Sequence, residues 1–191
     1  MLHWMRDPAK IGGIPGIRTG LVELCKYLKA NLGPDPVMYE IGSFAGESAE
    51  VFARYFRTVH CVDIWNDACG APSVTEVVVS FHERMNAAGN IVEHVAGSVE
   101  AAALVPDESL DFVYLDAGVH SRETTLRDIT AWWPKVRRGG FLGGHDWQLY
   151  HLHAADVFPG VEQAAREFFK PDPEAFGIKL FQDTSWVVSK S

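Results

Sequence analysis

The chain has 191 residues, 47% of them hydrophobic and 22% charged, with a formal net charge of −8 at pH 7. That length suits one well-packed domain, and the composition excludes disordered, collagen-like and coiled-coil chains. An acidic chain lacks the broad positive field that draws phosphate backbones, so nucleic acid is not expected as a partner. No apolar run approaches the roughly 20 residues of a membrane span, so no membrane partner is expected either. The opening MLHWMRDPAK has no apolar core of a secretory signal. Cys25, Cys61 and Cys69 form no C-x-x-C pair, which points to a reduced, cytoplasmic protein rather than a disulfide framework or structural zinc site.

Residues 1–36 read as an N-terminal lid or helical segment ahead of a single domain spanning 37–191. Within the lid, IGGIPGIRTG (11–20) reads as an ordered loop. Leu21, Leu24, Cys25, Leu28 and Leu32 then follow helical spacing, stopped by Gly33 and Pro34. Val37 to Ile41 is strand-like, Gly42 to Gly46 turns the chain, and Val51, Phe52, Tyr55 and Phe56 mark one face of a second helix. Thr58 to Val62 is a strand ending in Asp63, followed by a loop at 66–73. Val74, Val77, Val78, Phe81 and Met85 recur at helical spacing, although the valines alone suggest a strand. Ile91 to Ala96 reads as a strand, Val99 to Leu104 as a short helix, and Leu110 to Leu115 as a strand covered on both faces. Leu126, Ile129, Thr130 and Trp133 lie on a helix that Gly139 and Gly140 end, and Gly140 to Gly144 is a fifth strand. After an aromatic, His-rich connection at 145–160, Val161, Ala164, Ala165, Phe168 and Phe169 make another helical face. Ile178 to Gln182 and Trp186 to Ser189 close the chain as strands joined by a tight turn at Asp183, Thr184 and Ser185. Alternation of this kind predicts an α/β, Rossmann-like doubly wound parallel sheet with helices on both faces and one antiparallel strand at the end. Ligands of such sheets sit at the carboxyl ends of the strands.

The first strand runs into Glu40, Ile41, Gly42, Ser43, Phe44, Ala45, Gly46, Glu47 and Ser48. Gly42 and Gly46 allow a sharp turn and close approach of a ligand to the backbone. A dinucleotide site wants G-x-G-x-x-G, but Phe44 stands where the second glycine belongs and Glu40 lies just upstream. A pyrophosphate would be repelled by that carboxylate; a cationic ligand would be attracted. The second strand ends in Asp63, Ile64 and Trp65, and an acid about 20 residues after a glycine turn suits a ribose diol. The third runs into Gly97 and Ser98, where Ser98 either caps the next helix or faces the base of a nucleoside held at Asp63.

These segments, together with Asp111 to Asp116, His120, and Gly139 to Trp147, resemble class I S-adenosylmethionine-dependent methyltransferases. Within them the chain resembles the small single-domain group of small-molecule O-methyltransferases, from about Val37 to the C-terminus. The resemblance implies a seven-stranded sheet with its last strand antiparallel. It implies a cofactor site at Glu40, Gly42, Ser43, Gly46, Ser48, Asp63, Ile64, Trp65, Gly97, Ser98 and Asp116. The Gly42–Gly46 loop would hold the methionine part, Asp63 the ribose, and Ser98 the adenine neighbourhood.

Asp116 ends the fourth strand and Asp146 follows the fifth, so both carboxylates are expected in one cleft. Asp116, Asp146 and His145 are candidate ligands for Mg²⁺ or another divalent cation, which would hold an acceptor hydroxyl and lower its pKa. The metal-dependent catechol-type enzymes carry Asp-Asn after the fifth strand, whereas this chain has His145-Asp146. His120 is the candidate base, since a reference pKa of about 6.5 lies near neutrality, and Asp116 completes the catalytic pair. The expected partner is a small-molecule acceptor of methyl on oxygen or nitrogen, its pocket framed by the N-terminal segment and by Trp147, Tyr150 and Phe158. A homodimer is compatible with the sequence. Two rival readings stay open: a nicotinamide-dependent oxidoreductase on a similar sheet, and a non-catalytic cofactor-binding module.

Overall fold

The computed structural model describes residues 10–11, 14–15, 17–66, 73–147, 159–169 and 177–191. A two-residue-stranded hairpin, Lys10–Ile11 with Ile14–Pro15, precedes helix α1 (Ile17–Asn31). The main sheet then uses β1 (Val37–Ile41), β2 (Thr58–Asp63), β3 (Ile91–Val95), β4 (Leu110–Leu115), β5 (Val136–Gly144), β6 (Lys179–Leu180) and β7 (Trp186–Ser189). Helices α2 (Glu47–Phe52), α3 (Val74–Ala88), α4 (Ser98–Ala103), α5 (Arg122–Trp132) and α6 (Pro159–Phe168) connect them. The strand order is β3-β2-β1-β4-β5-β7-β6. The first five strands are parallel, and β7 runs antiparallel to both of its neighbours.

Period-2 alternation feeds two apolar layers at once. Met38, Phe112 and Tyr114 face the layer that holds Leu24 and Leu28 of α1, Phe52 of α2 and Phe81 of α3. Ile41, Val113 and Leu115 face the other layer, with Ile129 and Trp132 of α5, Ala164 and Ala165 of α6, and Trp186. Both faces of β1 and β4 are therefore covered, which is why these strands read as near-continuous apolar runs. Phe52 meets Tyr114 edge-on with ring centroids 5.0 Å apart, a geometry the aromatic quadrupoles favour.

Several boundaries differ from those the residue patterns predict. Helix α1 starts at Ile17, inside the stretch expected to be a loop. Gly20 thus lies inside the helix and packs directly on Asp183, and a Cβ at Gly20 would lie 2.6 Å from that residue's Cβ. Helix α2 is six residues long and ends before Tyr55 and Phe56. Gly139 and Gly140 do not end α5; a 3-10 turn at Trp133–Lys135, with Pro134 in it, does so, and β5 already begins at Val136. Strand β6 keeps two residues because the closing turn is wider, with the Phe181 amide donating to the Ser185 carbonyl at 2.9 Å. The Val74–Ala88 helix forms despite its valines, capped by the Ser73 hydroxyl accepting from the Glu76 amide. Residues 67–72 of the loop at 66–73, with Cys69, residues 148–158 of the 145–160 connection, with Tyr150 and Phe158, and residues 1–9, 12–13 and 16 of the N-terminal segment lie outside the described residues. No helix among the described residues is long and apolar enough to cross a membrane.

Candidate functional site

Three neighbouring strands release their chains side by side. The Gly42 amide still donates to Val62, the Asp116 amide to Ile41, and the His145 amide to Leu115, at 2.8 to 3.1 Å. Pairing thus continues one residue beyond the ends of β1 and β4 and at the exit of β5, and sets Gly42, Asp116 and His145 in a row. All three line one cleft of about 150 Å³, together with Leu21, Ser43, Phe44, Glu47, Ser48, Tyr114 and Asp183. Among the described residues, seven non-glycine residues have positive φ, and Phe44, Trp65, His120, Asp146 and Thr184 of that set belong to the turns around this cleft. Such conformations persist where surrounding contacts over-determine them.

The Gly42–Gly46 turn shows how. Gly42 has φ +91° and presses on the Asp116 carbonyl, so no side chain fits there. Phe44, at φ +45°, is pinned on both sides of its peptide. Its amide donates to Asp63 Oδ2 at 2.9 Å, and its carbonyl accepts from Trp65 Nε1 at 2.8 Å. The second oxygen of Asp63 accepts from the Trp65 amide at 2.8 Å. Asp63 therefore braces the turn itself, and each oxygen keeps a lone pair for a further donor. Trp65 is buried against Phe81, whereas Ile64 leaves about half of its surface exposed beside Asp63.

Glu40 is fully buried under the turn, on the same sheet face as Met38 and Tyr114. Burial pushes its pKa up to about 7, against the opposing influence of Ser48, Ser43 and Cys61, with Asp63 adding to the rise. The Cys61 thiol donates to Oε2 at 3.5 Å, while Oε1 has no hydrogen-bond partner among the described residues. Asp116 is held well above the usual carboxylate range by burial, with Asp146, Glu40 and Asp183 adding to the rise and His145 opposing it. Burial likewise raises Asp183. Burial would lower the pKa of His145, but the hydrogen bond to Asp146 and the carboxylates of Asp116, Asp146 and Asp183 raise it to about 9. His145 is accordingly the imidazolium counter-charge of the cleft at neutral pH.

Asp146 bridges two imidazoles. Its Oδ1 lies 3.0 Å from His145 Nδ1 and its Oδ2 lies 3.3 Å from His120 Nδ1. Asp116, His120 and Asp146 each offer a ligand atom, all within 4.8 Å of one another. His120, expected only as a base, thus joins the two carboxylates, while His145 sits beside the trio on Asp146. Ser121, rather than His120, caps α5, its hydroxyl accepting from the Thr124 amide. At β3, Gly97 occupies the N-cap of α4, and the Ser98 hydroxyl accepts from Trp132 Nε1 at 3.0 Å instead of capping.

Two lining residues, Asp183 and Glu47, carry no candidate role in the sequence motifs. Asp183 and Ser185 look like ordinary turn formers, yet Asp183 is a buried carboxylate in the wall and the Ser185 hydroxyl meets the Tyr114 phenol at 2.9 Å. Glu47 looks like a first-turn helix acid. Only the return of the β6–β7 hairpin over the strand ends brings Asp183 into place.

Residues 39–147, more than half of the chain, match a family model described as a methyltransferase domain. Among solved structures, the chain is similar to a structural-genomics protein from Corynebacterium glutamicum, with TM-score 0.65 and 15% identity over 91% of this chain and 81% of that one. It is similar to an rRNA methylase from Streptococcus thermophilus, with TM-score 0.61 and 14% identity over 88% and 95%. It is also similar to an O-methyltransferase from Bacillus cereus in complex with SAH, with TM-score 0.59 and 16% identity over 90% and 81%. These identities speak for a shared fold. No curated protein sequence matches the chain.

Because Asp63 accepts two backbone N–H groups, Asp63→Ala is expected to lower stability by about 1–3 kcal/mol in urea unfolding. A variant within about 0.3 kcal/mol of the parent would show that the turn does not depend on this carboxylate.

Proposed function

Since the chain belongs to the class I S-adenosylmethionine-dependent methyltransferases, we propose that it moves a methyl group from S-adenosylmethionine to an oxygen or nitrogen of a small molecule in the cleft at the ends of β1, β4 and β5. The observation that carries this reading is the acidic lining: Glu47, Asp116 and Asp183 in the wall, with Glu40 buried beneath. Carboxylates crowded together out of water favour a cation in their midst, and the cofactor is cationic at sulfur and at its amino group. The fit has two further supports. Glu40 Oε1 is buried and unpartnered among the described residues, and Gly42 lines the cleft with its backbone. In this reading the Gly42–Ser48 turn takes the methionine part, Asp63 the ribose, and Ile64, Gly97 and Ser98 the base.

When bound, the cofactor supplies an already activated methyl carbon. The protein's part is to align the acceptor, exclude water and take a proton. His120 fits the proton-accepting role. Burial lowers its pKa, partly offset by Asp146 and with His145 reinforcing the fall, so the imidazole is neutral near pH 7. Asp146 Oδ2, 3.3 Å from Nδ1, orients the ring. A divalent cation fits the same corner on the chemistry of its donors, two carboxylates and an imidazole. It would there be held by Asp116, Asp146 and His120, and would polarise an acceptor oxygen.

Two outcomes are expected. Glu40 is neutral below about pH 7 and ionised above it, and a cation binds the ionised form better. Affinity for S-adenosylmethionine should therefore rise about five- to tenfold from about pH 6 to about pH 7.5, with proton release, and Glu40→Gln should flatten the rise. A pH-independent affinity in the parent protein by calorimetry would contradict this. His120→Ala should cut kcat by about 10²–10⁴-fold and leave cofactor affinity within about twofold; unchanged turnover would remove His120 as the base. Turnover lost in EDTA and restored by Mg²⁺ would assign His120 to a cation instead.

A further inference from the structure

Outside the motif residues, one basic side chain reaches the cofactor turn from a different helix. Arg84 lies in the third turn of α3, and its side chain is only 12% exposed. Its Nη1 donates to the Ala45 carbonyl at 3.1 Å and to the Ser80 carbonyl at 3.3 Å, and also meets the Ser80 hydroxyl. Its Nη2 lies 3.7 Å from Glu47 Oε1, and its Nε lies 3.4 Å from Glu50 Oε2. Glu47 itself is 9% exposed at the side chain and lines the cleft. Asp63 and Trp65 thus grip the turn at Phe44, and Arg84 grips it at Ala45 and at the first residue of α2. The Gly46 position between them is tight, since a Cβ there would lie 2.9 Å from the Phe81 ring, one turn before Arg84 on α3.

We infer that Arg84 is a positioning residue for the amino-acid end of the cofactor: it holds the Ala45 carbonyl and presents the Glu47 carboxylate to the ligand's ammonium group. This rests on the methyltransferase reading. The guanidinium lies 3.7 Å from Glu47 Oε1 and is anchored on its other edge by backbone and hydroxyl oxygens, which fixes where that carboxylate stands in the cleft wall. Neighbouring Glu50 shares the same guanidinium from the next turn of α2, so the helix start is tied to α3 at two points. Glu47 is thereby a specificity-determining residue: it separates ligands with an amino-acid tail from those that end at the thioether.

The test compares S-adenosylhomocysteine with 5′-methylthioadenosine, which keeps the nucleoside and sulfur but lacks the amino-acid tail. Affinities are measured by calorimetry on the parent, Arg84→Met, Arg84→Lys and Glu47→Gln proteins. Arg84→Met and Glu47→Gln should each weaken S-adenosylhomocysteine by tenfold or more and leave 5′-methylthioadenosine within twofold. Arg84→Lys should recover part of the loss, and combining Arg84→Met with Glu47→Gln should add little. A purely structural role for Arg84 would lower both affinities together; an unchanged ratio between the two ligands in Arg84→Met and in Glu47→Gln overturns the inference. If the parent protein binds neither ligand, the methyltransferase reading itself fails, and this outcome is distinct from a parent that binds both with variants that do not discriminate.

Discussion

The structure is organised around the crowding of carboxylates into a hollow with too little water to solvate them. Glu40 comes from β1, Glu47 from α2, Asp116 and Asp146 from the exits of β4 and β5, and Asp183 from the last hairpin. Burial is the largest cause that raises Glu40, Asp116 and Asp183, and neighbouring carboxylates add to it at Glu40 and Asp116. Two cationic side chains answer them, His145 inside the cleft and Arg84 behind it. A fold selected only for stability would not gather these groups, because each desolvated charge weakens the native state unless it is paired. A bound cation relieves the strain and, by linkage, stabilises the protein.

That arrangement depends on the sheet rather than on local sequence. Three adjacent parallel strands, each covered on both faces, hold their exits in register, so Gly42, Asp116 and His145 emerge in line. The turns that follow bend sharply, with Phe44, His120 and Asp146 in left-handed conformations. Each is held by contacts from a different element: Phe44 by Asp63 and Trp65, and His120 and Asp146 by each other. The two apolar layers supply the rigidity that makes these bends affordable, and the turns supply the chemistry.

The alternation of strands and helices, the antiparallel last strand and the position of the site at the strand ends are legible in the residues, because burial on both faces leaves apolar runs and tight turns leave glycines. Boundaries are less legible where a glycine serves packing instead of termination: Gly20 sits inside α1, and Gly139 and Gly140 lie within β5. The carboxylates at Glu40, Asp63, Asp116 and Asp146 stand out because each lies within two residues of a strand end. Asp183, Tyr114 and the Arg84–Glu47 pair do not, since their places depend on a hairpin folding back and on one helix reaching another. Asp63 shows the opposite case. Its spacing from the glycine turn suggests a ribose ligand, and the structure adds a bracing role that no spacing conveys.

The most direct test is a pair of titrations at neutral pH, one with S-adenosylmethionine and one with NADH. One-to-one binding of S-adenosylmethionine, with no measurable heat from NADH, is the predicted result. Binding of NADH without S-adenosylmethionine would mean that the acidic hollow does not serve a sulfonium cofactor at all.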